Sequence, residues 1–93
     1  MSYDDLIFRV HAIERMFERG ISEIDVRDVL EHGEVIENYP NDLPYPSRLI
    51  LGYCGGHPVH ILASDDPEVA ATVIVTVYEP DPSRWDRTFR HRK

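Results

Sequence analysis

Three side chains suited to binding an anion recur at every fourth position near the start of the chain: His11, Arg15 and Arg19. Each step of four residues turns only about 40° around a helix axis, so a helix would place all three on one face. Arginine offers a planar fork of donors that suits phosphate or carboxylate, and histidine exchanges a proton near neutrality. The spacing therefore predicts either a phosphate-binding stripe or, because Glu14 and Glu18 are interleaved, a solvated helix face with local ion pairs.

Four further residues with reactive or binding side chains fall on predicted strands or just after them. His60 lies among apolar residues, which fits either a core histidine with one hydrogen bond or a site residue. Tyr78 ends a threonine-rich strand face, where a phenol can be a general acid, a base-stacking group or the rim of the core. Arg48 lies on an apolar strand and must be paired or aimed at a ligand. Trp85 fits an anchor for the C-terminal segment or a base-stacking residue.

A metal site is not expected. Cys54, His57 and His60 have a spacing that resembles zinc ligands, but strand alternation puts His60 on the face opposite to the other two. We expect no cofactor either, because no glycine-rich phosphate loop and no paired nucleophile and base appear. The residue types that remain are His, Arg and Tyr. Cleavage of RNA by attack of a ribose 2′-hydroxyl on the adjacent phosphodiester needs a base, an acid and a cation, which these three residue types can supply.

Two helices are predicted to precede the strands. The first is an amphipathic helix that ends at Gly20, and its start is open: either near residues 4 and 5, or near His11 after a short extended segment. The second begins after Ser22, a natural N-cap with Asp25 three residues later, and closes at Gly33. The apolar residues that define the predicted buried face of the first helix are Leu6, Val10, Ile13 and Phe17.

Four strands are predicted after Gly33, over residues 34–39, 47–54, 57–64 and 71–79. The Gly55-Gly56 pair predicts a tight hairpin in which Cys54 faces His57, Ile50 faces Ile61 and Leu51 faces His60. Both faces of that hairpin are largely apolar, so both should be covered at least in part. In the fourth strand, simple alternation predicts one face made of Val73, Val75 and Val77. Ser83 is expected to cap a short helical turn before a basic tail that frays.

The sum is a single α+β domain over residues 1–93, with two N-terminal helices packed on a four-stranded antiparallel meander sheet. The chain is 42% hydrophobic and 29% charged, which is an ordinary globular composition. Its first five residues include two aspartates and no basic residue, and no apolar run approaches the ~20 residues of a membrane span. Cys54 is the single cysteine. We therefore expect a cytoplasmic protein with no membrane association, as a monomer or small oligomer such as a dimer.

The charge is unevenly distributed. The formal net charge is −7, which argues against a protein that coats nucleic acid non-specifically. Residues 84–93 nevertheless contain five basic residues against the single acid Asp86, so this tail carries about +4. The tail is suited to holding RNA, and the acidic body to holding a basic partner.

Five ordered blocks of the sequence together resemble a known family, the domain of unknown function numbered 4258. The blocks are residues 11–22 (HAIERMFERGIS), 33–40 (GEVIENYP), 45–52 (YPSRLILG), 58–60 (PVH) and 76–85 (TVYEPDPSRW). Its members resemble the RelE-like and BrnT-like toxin fold of bacterial toxin-antitoxin systems. The resemblance implies a ribonuclease and a partner that is a small zinc-finger or helix-turn-helix antitoxin.

Seven residues carry the resemblance at positions with suitable chemistry: His11, Arg15, Arg19, Arg48, His60, Tyr78 and Trp85. Our leading hypothesis is a metal-independent RNA endonuclease or a descendant of one. In it, His11 or His60 is the base, Tyr78 is the acid or an orienting group, and the arginines and Trp85 bind the RNA. Toxins of the RelE type are typically basic, whereas this chain is acidic. The competing hypothesis is therefore a non-enzymatic protein-interaction module whose acidic helices hold a basic partner.

Overall fold

A five-stranded mixed sheet carries two helices on one of its faces in the computed structural model, which describes residues 4–93. The strand order is β1-β5-β4-β3-β2. Residues 1–3, which begin the acidic N-terminal stretch, lie outside the described range. In chain order the elements are β1 (Asp5–Phe8), α1 (Val10–Arg19), α2 (Glu23–His32), β2 (Glu34–Tyr39), β3 (Ser47–Cys54), β4 (His57–Asp66) and β5 (Ala71–Tyr78).

The α+β class is confirmed, but the prediction of four antiparallel strands is wrong because β1 adds a fifth, parallel strand. Its residues pair with β5 from Asp5 opposite Ala71 to Phe8 opposite Ile74. Helix α1 starts directly after it, so the extended alternative for this segment is the correct one. The backbone N–H of Arg9 donates to the Ile74 carbonyl at 3.1 Å, which ties the start of α1 to the sheet.

Helix α1 turns a different face to the sheet from the one predicted. Ala12 and Met16, four residues apart, are its buried side chains. Three of the four predicted residues are exposed instead, with Val10 at 73%, Ile13 at 52% and Phe17 at 89% exposure, whereas Leu6 lies on β1 and packs against the core. Since β1 leads into α1 with only Arg9 between them, the pairing of β1 with the sheet fixes the rotation of the helix.

Helix α2 has the predicted ends. A capping box joins Ser22 and Asp25: the Asp25 N–H donates to Ser22 Oγ at 3.1 Å and the Ser22 N–H donates to Asp25 Oδ2 at 2.9 Å. Val26 and Val29 are its buried residues. The helix lies close to the sheet at Gly52, where a Cβ atom would approach two Val29 methyl carbons to 2.7 Å.

The predicted hairpin register is confirmed at every pair, from Ser47 opposite Ser64 to Cys54 opposite His57. Simple alternation fails in β5. Leu62 pairs with Thr76 and Ala63 with Ile74, so the intervening residue of β5 has no partner and forms a bulge. The predicted common face of the three valines is therefore wrong. Val77 and Ile74 join the core under the helices, while Val73 and Val75 line a cavity on the other face.

The sheet face opposite the helices is crossed by the C-terminal segment, residues 80–93. A single turn forms here, in which the N–H groups of Arg84 and Trp85 both donate to the Asp81 carbonyl. Its cap is Asp81 and not the predicted Ser83, because the Ser83 N–H donates to the Asp81 carboxylate at 2.9 Å. The expected fraying of the tail is wrong, because Trp85 is 3% exposed and the Lys93 N–H donates to the Arg84 carbonyl at 2.9 Å. Among residues 4–93, no helix is long and apolar enough to cross a membrane.

Candidate functional site

A buried histidine and a tyrosine form the centre of the helix-free face. His60 on β4 and Tyr78 on β5 are direct cross-strand partners, which brings their side chains side by side. Tyr78 Oη lies 3.1 Å from His60 Nδ1, and the two rings meet edge to face at 5.2 Å. His60 is fully buried. Burial therefore lowers the pKa of the imidazole and raises the pKa of the Tyr78 phenol.

The C-terminal segment completes the surroundings of His60 and fixes its tautomer. The second ring nitrogen, Nε2, lies 2.8 Å from the Phe89 carbonyl oxygen. A carbonyl only accepts, so Nε2 carries the proton in the neutral ring, and Nδ1 is left to accept from the Tyr78 hydroxyl. The Trp85 ring stands edge to face against the imidazole at 4.5 Å. His60 is thus a proton acceptor that solvent does not contact, and a proton can reach it only by way of the Tyr78 hydroxyl.

Tyr78 also lines an open cavity of about 260 Å³ on this face. Arg92 from the tail and Tyr39 from β2 line the same cavity, with Asp42 from the following loop. The cavity therefore brings together two phenols, a guanidinium and a carboxylate. The rest of its wall is formed by Leu49, Leu62 and Thr76.

Arg92 is held at the cavity by three aromatic or acidic neighbours. Its Cζ lies 4.6 Å from the centre of the Trp85 ring, its Nε lies 3.5 Å from Glu37 Oε1, and its Nη2 donates to Tyr39 Oη at 3.4 Å. The Tyr39 hydroxyl itself donates to the Glu37 carboxylate. Desolvation and this carboxylate together raise the pKa of Tyr39. The Arg92 guanidinium is thus paired with Glu37 and also lines the cavity.

Three of the seven predicted site residues are brought together here: His60, Tyr78 and Trp85. Arg48 lies two residues from the buried Ile50 on β3, whereas His60 pairs with Leu51, so Arg48 belongs to the opposite face of the sheet. Its Nη1 contacts Asp65 Oδ2 at 3.2 Å, and Thr72 donates to the other oxygen of that carboxylate. Arg48 is therefore paired, one of the two states expected for an arginine on an apolar strand.

The N-terminal stripe lies on α1, on the helix-covered side of the sheet. His11 is exposed, and Arg15 contacts Glu18 one turn away at 3.5 Å. Arg19 contacts Glu79 Oε2 at 3.8 Å, next to the end of β5. Of the two alternatives for His11, Arg15 and Arg19, the structure therefore shows the solvated helix face with ion pairs. None of the three residues lines the cavity beside Tyr78.

Sequence reasoning missed the cavity-lining residues Tyr39, Asp42 and Arg92, and it missed Glu37, which contacts Tyr39 and Arg92. Two signals pointed to them. Tyr39 and Glu37 are two residues apart at the end of a strand, and a basic tail in an acidic chain needs acidic partners. The tail meets β2 twice, since Arg90 also forms a two-pronged ion pair with Glu34 at 2.9 to 3.1 Å. In the described part of the chain, no three His, Cys, Asp or Glu residues are arranged to hold a metal ion.

Fold and site together define an α+β domain whose helices cover one sheet face and whose polar cavity lies on the other. The sequence over residues 8–79 matches the domain of unknown function DUF4258, and the chain belongs to this family. The match ends one residue after Tyr78, so the tail that supplies Trp85, Phe89 and Arg92 lies beyond it. No curated protein and no solved structure matches the chain.

Proposed function

We propose that this protein cleaves RNA by attack of a 2′-hydroxyl on the adjacent phosphate, at the cavity beside Tyr78. The observation that carries the proposal is a hydrogen bond. The Tyr78 hydroxyl donates to the sealed imidazole of His60 while lining the same cavity as Arg92 and Tyr39. The resemblance to RelE-like and BrnT-like toxins supports the same reaction class, as does the requirement of that reaction for a base, an acid and a cation.

Tyr78 and His60 act as a two-membered base. The 2′-hydroxyl proton passes to Tyr78 Oη as the Tyr78 proton passes to His60 Nδ1, and the 2′-oxygen forms a bond to phosphorus. In the resulting imidazolium, the Nε2–H group still donates its hydrogen bond to the Phe89 carbonyl oxygen at 2.8 Å. Because His60 is neutral in its buried setting, it is ready to accept a proton at pH 7.

Arg92 and Tyr39 serve the phosphate and the leaving group. The Arg92 guanidinium donates to the oxygens of the pentavalent phosphate, where negative charge increases. As the bond from phosphorus to the 5′-oxygen breaks, the Tyr39 hydroxyl gives its proton to that oxygen. The His60 imidazolium then returns its proton through Tyr78 to solvent, and Tyr39 takes one up from solvent, which restores both groups. The products are a 2′,3′-cyclic phosphate and a free 5′-hydroxyl, and atoms and charge balance over the two steps.

The position of the tail supports RNA as the substrate despite the acidic body. Residues 84–93 carry about +4, and their Trp85, Phe89 and Arg92 all pack beside the cavity. Phosphate binding depends on nearby cations, since charges farther away than a Debye length of about 8 Å are screened. The charged groups at the cavity itself are Arg92 from the tail and the carboxylates of Asp42 and Glu37, so Arg92 is the cation offered to a phosphate there.

The test is cleavage of a single-stranded RNA by the purified protein. We expect products with 2′,3′-cyclic phosphate ends, and no cleavage of the same sequence made as DNA. Tyr78→Phe should lower the rate by about 10²-fold or more, the usual contribution of one proton-transfer group. Arg92→Ala should lower it as well, because the cation is lost. Expression of the protein without a partner should arrest growth, and Tyr78→Phe should relieve the arrest.

The matched control is Tyr53→Phe, which removes a phenol hydroxyl from a half-exposed tyrosine at the end of β3, away from the cavity lining. It should leave the rate unchanged. RNA that stays intact with the wild-type protein, together with harmless overexpression, would rule the proposal out. Equal cleavage by Tyr78→Phe and the wild type would remove Tyr78 and His60 from the mechanism.

A further inference from the structure

The outer surface of the helical layer carries apolar side chains that the fold leaves uncovered. We call this surface the helix stripe: Val10, Ile13 and Phe17 on α1, and Ile24 at the start of α2. The first three recur at spacings of three and four, so they lie along one side of α1. Ile24 follows the short turn between the helices and is 79% exposed. All four lie on the side of the sheet opposite the cavity.

The stripe has no role in holding α1 on the sheet. Ala12 and Met16 do that, and they lie about 130° and about 90°, respectively, around the helix from the centre of the α1 part of the stripe. Single exposed apolar residues are ordinary on a protein surface, whereas a row that includes a phenylalanine at 89% exposure marks an interaction surface. An aromatic side chain of this kind is also the residue type that anchors protein interfaces.

The charges beside the stripe define what binds there. Glu14 and Glu18 follow Ile13 and Phe17 by one residue each, so they form one acidic edge of the stripe. Helix α2, which carries Ile24, has four acidic residues against one arginine, Arg27, and one histidine, His32. Among residues 4–93, Glu14 and Glu31 have no cation within 4 Å. An apolar row with one acidic edge is complementary to an apolar row with a basic edge.

A second copy of the chain fits this surface poorly. In an antiparallel pairing of two α1 helices about a twofold axis, equivalent edges face each other, so Glu14 and Glu18 would meet their own counterparts. The net charge of −7 on each chain adds repulsion between copies.

We propose that the helix stripe binds a partner protein through an amphipathic helix whose apolar side chains are flanked by lysine or arginine. Phe17 is the central anchor, between the other apolar residues of α1 and the α1–α2 turn. Glu14, which has no cation within 4 Å among the described residues, pairs with the basic edge of the partner helix, and Glu18 joins it by exchanging its half-exposed contact with Arg15. This surface is separate from the cavity, so a partner can occupy it without contacting Tyr78 or Arg92.

The probe is a synthetic helical peptide with leucines at positions i, i+3 and i+7 and lysines along both edges, labelled for fluorescence anisotropy. Its comparator has glutamate at every lysine position. We expect the basic peptide to bind the full chain and the acidic one to bind at least tenfold more weakly. Amide NMR shifts should centre on residues 10–24. Phe17→Asp should weaken binding by about tenfold or more, and Glu14→Gln with Glu18→Gln should weaken it less.

Leu43→Asp is the matched control, because Leu43 is an equally exposed apolar residue, at 90%, on the loop between β2 and β3. It should leave the affinity unchanged. Since Phe17 is almost fully exposed, Phe17→Asp should keep the wild-type melting temperature, which separates lost binding from lost folding. No binding of the basic peptide, equal binding of both peptides, or amide shifts centred on the cavity would overturn the proposal. Sedimentation that shows a dimer lost in Phe17→Asp would overturn it in favour of a second copy.

Discussion

At the scale of single residues, His60 combines full burial with two hydrogen bonds, and this makes folding sensitive to pH. In the unfolded chain the imidazole takes up a proton near pH 6.5, whereas burial lowers its pKa in the folded chain. Between these two pKa values the unfolded state binds more protons, so the free energy of unfolding decreases as the pH falls below about 6.5. The slope approaches about 1.4 kcal/mol per pH unit for one such group. Urea titrations between pH 7.5 and 5.5 measure it.

The control for this prediction is the replacement of a solvent-exposed histidine. His60→Gln should remove most of the slope, at a cost in stability at pH 7.5 because a buried ring and its two hydrogen bonds are replaced. His11→Gln alters an exposed histidine on α1 and should keep the wild-type slope. Identical slopes in the wild type and His60→Gln would mean that another group causes the pH dependence.

At the scale of the elements, local signals were predictable and long-range ones were not. The Gly55-Gly56 turn and the Ser22 cap involve neighbours in the sequence, and both were predicted correctly. Strand β1 is four residues long and pairs with a strand at the other end of the domain, so no local pattern defines it. Helix α1 has two possible buried faces. The more apolar one faces solvent because tertiary contacts through Ala12 and Met16 decide its rotation.

Gly52 tests how closely α2 lies against the sheet. A Cβ atom at this position would come within 2.7 Å of two methyl carbons of Val29, so Gly52→Ala should force the helix away from β3. We expect a loss of about 1–3 kcal/mol in the free energy of unfolding, as for other overpacked sites, measured by urea denaturation.

Removing the opposing methyl groups should relieve the clash. In a Val29→Ala background, Gly52→Ala should cost less than it does in the wild type, which gives a favourable coupling energy between the two sites. An equal cost in both backgrounds would show that the alanine methyl does not meet Val29. The prediction concerns the contact between two elements, so the cavity face should keep its Trp85 fluorescence in both variants.

At the scale of the whole molecule, the site depends on a segment that the sequence did not place. His60, Tyr78 and Trp85 were singled out by residue type and surroundings, and the strand register and the C-terminal segment bring them together. The sequence identified Arg92 only as one basic residue of the tail. Its position depends on Glu37, Tyr39 and Trp85, and ion pairs between distant segments have no periodicity to reveal them. The concentration of basic residues in the tail indicated that the tail binds acidic groups. Two of those groups belong to strand β2 of the same chain, Glu34 for Arg90 and Glu37 for Arg92.

The tail and the helices should unfold together, because both pack on β4. Val59 and Ile61 lie in the core under the helices, and His60 between them contacts Trp85 on the opposite face. Since Trp85 is the only tryptophan, its fluorescence reports the tail, while far-UV circular dichroism reports mainly the helices. We expect the two urea midpoints to coincide. Arg90→Ala, which breaks the ion pair with Glu34, should move both midpoints to lower urea by the same small amount, because an exposed ion pair stabilises a fold only weakly. Arg87→Ala, at a basic tail residue for which the described structure shows no ion pair, should move neither. A fluorescence midpoint well below the circular-dichroism midpoint would show that the tail leaves the sheet before the domain unfolds, and the cavity would then be a property of two separate units and not of one cooperative fold.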